Sequence, residues 1–152
     1  MLPVEGPRFS IDLTERSHTT EEITDAAAEF IGGRGLATTL ATDRLATDTE
    51  PLSPANRLYF STGPLQLSTT SFTGRMNATS LSPLTDGLLS SNAGGFLSRN
   101  FAGTGNAAVE LHGAADELLA VHVREDGVEF EPVPELEEGT VPEVTEWAEE
   151  QG

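Results

Sequence analysis

Between Gly63 and Gly103 the chain carries a single carboxylate, Asp86, although Asp and Glu supply 25 of its 152 residues. The span reads GPLQLSTTSFTGRMNATSLSPLTDGLLSSNAGGFLSRNFAG, with Arg75 and Arg99 as its only cations and mostly serine and threonine as its polar residues. In so acidic a chain, a long stretch without carboxylates has two physical explanations. It packs into a core, or it leaves room for an anionic ligand against bare backbone. The length fits one domain with an ordinary core, so both remain open.

The charge outside this span narrows the function classes. The net charge is −17, all eight basic residues are arginine, and lysine is absent. Self-repulsion of that size is relieved at high salt, where the Debye length falls to about 3 Å at 1 M. The composition therefore points to a salt-rich interior such as a halophile's. Nucleic-acid binding is disfavoured, because phosphate neutralisation needs clustered Lys or Arg. Cysteine is absent, which excludes disulfides, cysteine nucleophiles, thiolate zinc and any iron–sulfur cluster ligated by these residues. No apolar run approaches the roughly 20 residues that cross a bilayer. The start, MLPVEGPRFS, lacks a basic n-region and an apolar h-region. A cytoplasmic protein without membrane contact is expected.

Periodicity suggests the elements. Phe9, Ile11 and Leu13 alternate with polar neighbours, as in a strand. DAAAEFI is a short helix stopped by Gly32-Gly33, and Leu36, Ala37, Leu40, Ala41 and Leu45 recur at helical spacing to about Asp48. LYFS at 58–61 is a short buried strand. The central span predicts strands near 75–81 and 87–91, then a helix from about Gly95 to Phe101. AAVELHG, LLAVHV and GVEFEPV predict a three-stranded meander. Beyond Pro134 the chain is acidic, with a helix starting at Thr140-Val141-Pro142.

Familiar motifs give little. Gly33-Arg34-Gly35 and Gly103-Thr104-Gly105 partly match the dinucleotide fingerprint, but the first follows a helix and the second leads into a strand. Both read as turn glycines. His112 and His122 fall on adjacent expected strands, near Asp116 and Glu117, without the converging spacing a metal needs. No G-x-S-x-G elbow anchors a hydrolase triad. Within the carboxylate-poor span, Arg75 suits bidentate binding of an oxo-anion. Asn92-Ala93-Gly94-Gly95 precedes an expected helix start, where free N–H groups favour anions. Capping of that helix by Asn92 is the structural alternative.

Read together, FIGGRGLATTL, DTEPLSPANRLYFSTGPL, TGRMNATSLSPLTDG and SSNAGGFLSRNFAG resemble, in order and spacing, the N-terminal domain of aldehyde ferredoxin oxidoreductases. The resemblance runs from about Phe9 to Trp147. It implies a tungsten or molybdenum bis-pyranopterin, a [4Fe–4S] cluster that this chain does not ligate, oxidation of aldehydes to carboxylic acids, and electron transfer to ferredoxin. It also implies site residues. Arg75 matches the pterin-contacting arginine of the family's G-G-R-x-N phrase. Asn92, Ala93 and Gly94 match the N-S-G-G phrase at the pterin and its phosphate-bound magnesium. The phrases G-P-L-T-G and A-G-Y-D-A-I are altered here, at Gly63–Leu67 and Ala102–Ala108, and the chain stops before the second half of the family's domain.

The expected fold is α+β, a β-rich antiparallel sheet with two or three short helices. Residues 1–133 would form a partial pterin-binding domain and 134–152 an acidic segment with a short helix. The expected role is cofactor binding within an aldehyde ferredoxin oxidoreductase, with no catalytic residue or metal ligand here and no redox activity alone. A partner subunit would carry the cysteine-rich domains. The alternative is a non-enzymatic remnant or binding module that keeps the fold without cofactor.

Overall fold

The alternation at Phe9 and Ile11 forms a strand, β1 (Arg8–Asp12), in a computed structural model that describes residues 6–71 and 73–151. A turn leads to β2 (Ser17–Glu21), paired antiparallel with it. Two helices follow, α1 (Thr24–Glu29) and α2 (Gly33–Arg44). Next come β3 (Arg57–Ser61), β4 (Arg75–Leu81) and β5 (Leu88–Gly94), an antiparallel run. After helix α3 (Phe96–Gly103), β6 (Ala108–His112) inserts between β1 and β3. The resulting six-stranded sheet has the order β2-β1-β6-β3-β4-β5. A separate hairpin, β7 (Leu119–Val123) with β8 (Val128–Pro132), precedes a short 3-10 turn and α4 (Val141–Gln151). The α+β expectation holds, with one parallel pair, β1 with β6. Among the described residues no helix is long and apolar enough to cross a membrane.

Two corrections follow from β6. The last three strands are not a meander: β6 belongs to the large sheet, and only β7 and β8 pair locally. His112 and His122 therefore lie in different sheets. His122 Nε2 lies 3.0 Å from Glu131 Oε2, and His112 lies 3.9 Å from Asp12. The physical reason is burial. Val109 of β6 joins Phe9 and Ile11 in a core cluster, which a hairpin to β7 alone would not provide.

The two faces of the sheet have different partners. Helix α2 lays Leu36, Ala37, Leu40 and Ala41 over Tyr59 and Ala108. This is the stripe predicted by helical spacing, although the helix stops at Arg44, where Leu45 turns to extended backbone. Its entry is tight. Gly32 holds φ +145°, and a Cβ there would stand 2.5 Å from the Thr62 carbonyl oxygen, so only glycine admits the approach. On the opposite face Phe9, Ile11 and Val109 pack with Phe60, Phe101, Leu111 and the hairpin residues Val121, Val123 and Phe130.

Polar residues occur inside the α2 face as well. Register places Glu110 of β6 beside Ser10 of β1 and Tyr59 of β3. Period-two alternation adds Arg8 and Arg57 to the same face. Glu110 is fully buried and Arg8 is 1% exposed. Arg8 Nη1 lies 3.1 Å from Glu110 Oε2, Arg57 donates to Glu110 Oε1, and Tyr59 OH donates to that oxygen at 3.1 Å. Arg8 also pairs with Glu21, which Arg44 of α2 reaches at 2.7 Å. The network ties β1, β2, β3, β6 and α2 together through charge-assisted bonds.

Replacing Glu110 with Gln would leave the buried Arg8 charge under-compensated. Breaking a buried pair costs about 3–5 kcal/mol, and Glu110→Gln is expected to lower the denaturant midpoint accordingly; an unchanged midpoint would refute the role. Tyr59 gives a second check. Burial first, and then the adjacent Glu110 carboxylate, raise its pKa above the ordinary tyrosine value. The native state thus favours the neutral phenol. That contribution is complete below the unfolded value of about 10 and is lost as pH rises through the folded one. Tyr59 is the only tyrosine and lysine is absent, so phenolate absorbance reports this group cleanly. Ionisation is expected to coincide with alkaline unfolding, and a titration near pH 10 with the fold intact would contradict it.

Candidate functional site

The carboxylate-poor span folds as an antiparallel pair and a helix at one edge of the sheet. In the β4–β5 register Arg75 faces Gly94, Met76 faces Ala93, and Asn77 faces Asn92. The four residues singled out from the sequence are thus brought together, and all four are exposed. Asn92-Ala93-Gly94-Gly95 does precede a helix start, as expected, but Asn92, Ala93 and Gly94 arrive there as the last residues of β5, and Gly95 occupies the cap position of α3. Asn92 does not cap that helix.

A polar ladder explains why. Thr79 Oγ1 lies 2.7 Å from Ser90 Oγ and donates to Asn77 Oδ1 at 2.6 Å. Asn77 Nδ2 in turn donates to the Ser91 carbonyl at 3.1 Å and to Asn92 Oδ1 at 3.2 Å. Thr79 and Asn77 are buried, so the ladder is anchored in the core and ends at the exposed Asn92. With its oxygen engaged, Asn92 presents its Nδ2 donor outward. β5 is an edge strand, and its residues from Ser90 to Gly94 are small. A ligand can reach its main chain without displacing bulk.

The start of β4 is held from two sides. Gln66 Oε1 accepts from the N–H groups of Gly74 at 2.9 Å and Arg75 at 3.2 Å. The Gly74 carbonyl accepts from Gly95 at 3.3 Å. Gly74 has φ +102° and Gly95 φ +127°, in the region where L side chains are strained. These contacts fix where the Arg75 side chain leaves the sheet and where α3 begins. The first turn of α3 then offers backbone N–H groups beside the same edge.

Arginine pairing separates this edge from the rest of the surface. Arg8, Arg16, Arg44, Arg57 and Arg124 each meet a carboxylate. Among the described residues Arg75 and Arg99 meet none, and the only other such arginine is Arg34. Arg99 Nε lies 4.0 Å from where a Cβ on Gly74 would stand, which brings it close to the start of β4. Sequence reasoning passed over Arg99; its place in the carboxylate-poor span was the available signal. The arrangement offers two cations, an outward amide donor, open main chain and a helix N-terminus. That set suits a polar ligand carrying a phosphate.

Other candidates disperse. Gly33 and Gly35 lie at the start of α2, which follows a helix, and Gly105 makes the turn from α3 into β6 at φ +77°. Among the described residues no group of three or more potential metal ligands is found.

Comparison with known proteins bears on this edge. The family model of the aldehyde ferredoxin oxidoreductase N-terminal domain matches residues 8–152. The tungsten-containing aldehyde ferredoxin oxidoreductase of Pyrococcus furiosus is 30% identical over 106 residues, covering 70% of this chain and 18% of that protein. Its counterpart in Thermococcus kodakarensis is 28% identical over 112 residues, covering 74% and 18%. Among solved structures, a chain of the active-site complex BamBC of benzoyl coenzyme A reductase, in complex with 1,5-dienoyl-CoA, superposes with a TM-score of 0.90. The identity is 25%, over 96% of this chain and 22% of that one. The chain spans about a fifth of the length of these relatives.

The ladder makes a prediction independent of any ligand. Asn77→Asp replaces the donor to Asn92 and Ser91 with an oxygen and buries a charge. Loss of a buried hydrogen bond costs about 1–3 kcal/mol, more for a charged group. Thermal unfolding of Asn77→Asp is expected at lower temperature, whereas Asn92→Ala, at the exposed end, shifts it little. Equal effects would argue against a ladder anchored at Asn77.

Proposed function

Because the chain belongs to the aldehyde ferredoxin oxidoreductase N-terminal domain family, we propose that its β4–β5 edge holds the pyranopterin cofactor of such an enzyme. The observation that carries this reading is the convergence of Arg75 with Asn92, Ala93 and Gly94 on facing strands, free of carboxylate partners among the described residues. The residues fit the group. Arg75 supplies a planar fork for the pterin's polar edge or its phosphate. Asn92 Nδ2 supplies an oriented donor, Ala93 and Gly94 leave the main chain open, and the α3 N-terminus favours the phosphate's charge.

When bound, the tungsten or molybdenum pterin supplies the redox chemistry by which an aldehyde is oxidised to a carboxylate, with electrons passed through an iron–sulfur cluster to ferredoxin. This chain's residues bind and orient the cofactor; none acts as acid, base or nucleophile. The cluster and the remaining pterin contacts belong to further protein, in the same polypeptide or a partner subunit. Phe96 and Leu97, 84% and 66% exposed beside Gly95, add an apolar surface next to the polar edge that bound cofactor or further protein would cover.

The test is co-expression of this chain with the family's remaining domains in a tungstopterin-producing host, followed by metal and pterin analysis of the purified assembly. Loss of a charged hydrogen bond of about 1.5–3 kcal/mol corresponds to roughly 10- to 150-fold in affinity. Arg75→Ala is therefore expected to lower retained pterin while the fold persists. An assembly without metal and pterin in the wild type would leave a fold without cofactor, and the proposal would fail.

A further inference from the structure

Behind the clamp on β4 lies a cavity of about 290 Å³, lined by Gly6, Thr62, Gly63, Gln66, Leu67 and Asn106 among others, none of them charged. Two of these side chains are buried with an unused polar atom. Gln66 is 6% exposed and Asn106 is 4% exposed, and neither Gln66 Nε2 nor Asn106 Oδ1 has a hydrogen-bond partner among the described residues.

Their orientations are set by the bonds they do make. Gln66 Oε1 accepts from the Gly74 and Arg75 amides, and a flipped amide would turn its NH2 group towards two N–H donors. Asn106 Nδ2 donates to Thr104 Oγ1 at 3.1 Å and to the Thr104 carbonyl at 3.4 Å. Flipping it would set oxygen against that carbonyl. The cavity wall therefore holds one unsatisfied donor and one unsatisfied acceptor. Buried polar atoms left without partners are uncommon in native folds and call for an explanation.

We infer that this cavity is a binding site for a small neutral ligand with a lactam edge, its carbonyl accepting from Gln66 Nε2 and its N–H donating to Asn106 Oδ1. The absence of charged lining excludes an ionic ligand, which would be desolvated without a counter-charge. Pro64, Leu67, Ala102 and Ala107 supply apolar wall for a ring, and the volume is close to the lower bound of small-molecule pockets, about 300 Å³. The site goes beyond the pterin reading and uses none of its contacts. The two meet only at Gln66, whose other end holds Arg75.

The test is an NMR titration of the 15N-labelled full chain with 2-pyrrolidinone, alongside cyclopentanone. The two rings match in size, and the ketone lacks only the N–H. The lactam is expected to produce saturable shifts at the Gln66 side-chain NH2 and at the amides of Gly74, Arg75 and Gly105. The ketone should bind at least about tenfold more weakly. Gln66→Glu keeps an oxygen for the Gly74 and Arg75 amides but removes the donor, and should abolish saturation. Asn106→Leu serves if Gln66→Glu does not fold. Non-saturating shifts with the lactam, meaning a cavity filled by water only, would overturn the inference. So would equal binding of the ketone, or undiminished binding by the variant.

Discussion

Glu110 holds the sheet closed. It is a fully buried carboxylate on the strand that arrives last in sequence and sits in the middle in space. Removing a carboxylate from water is costly, and only good geometry with several partners recovers that cost. Arg57 and Tyr59 hydrogen-bond its Oε1, and Arg8 stands as a counter-charge 3.1 Å from its Oε2, which has no hydrogen-bond partner among the described residues. The requirement fixes the register of β6 against both neighbours, because a slip of one residue would turn Glu110 to the opposite face, among Phe9, Ile11 and Val109. Helix α2 is coupled to the same charges through Arg44 and Glu21. In a chain without lysine, the planar fork of arginine is the cation available for such a site.

At the other end of the sheet the same chemistry is left open. The β4–β5 ladder carries hydrogen bonding from the buried Thr79 out to Asn92, and Gln66 positions the main chain beneath Arg75. Where the β6 region pairs its arginines with carboxylates, Arg75 and Arg99 at this edge have no such partner among the described residues. A surface with a net charge of −17 would otherwise repel an anionic ligand. The carboxylate-poor span is thus largely exposed at β5 and α3, while Gln66, Met76, Asn77, Thr79, Ser82 and Ser98 of the same span are buried.

Elements with strong local periodicity were legible. The apolar alternation of β1, the stripe of α2 and the short runs of β3 and β4 each mark a face that must be buried, and each stands where the pattern puts it. The strand β2 was not legible. Its SHTTE is exposed almost throughout and carries no apolar alternation; pairing with β1 creates it. β5 extends three residues past its expected end because pairing with β4 continues to Gly94. Gln66, Asn106 and Glu110 were invisible as site or core residues, since a polar side chain in sequence gives no sign of which neighbours will bury it. Arg75, Asn92, Ala93 and Gly94 were found through phrases that resemble a family, and their juxtaposition then required strand register.

The sequence alone determined the charge regime, the lack of cysteine chemistry, the elements with strong local periodicity and the family. Composition and short-range spacing are properties of the chain whatever its fold. The tertiary structure alone decided that β6 lies between β1 and β3, that Glu110 is enclosed by two arginines, and that Asn92 ends a strand rather than capping a helix. Each depends on contacts between residues far apart in sequence, such as Arg8 with Glu110. Burial and hydrogen-bond satisfaction choose among those pairings only when the whole sheet is assembled.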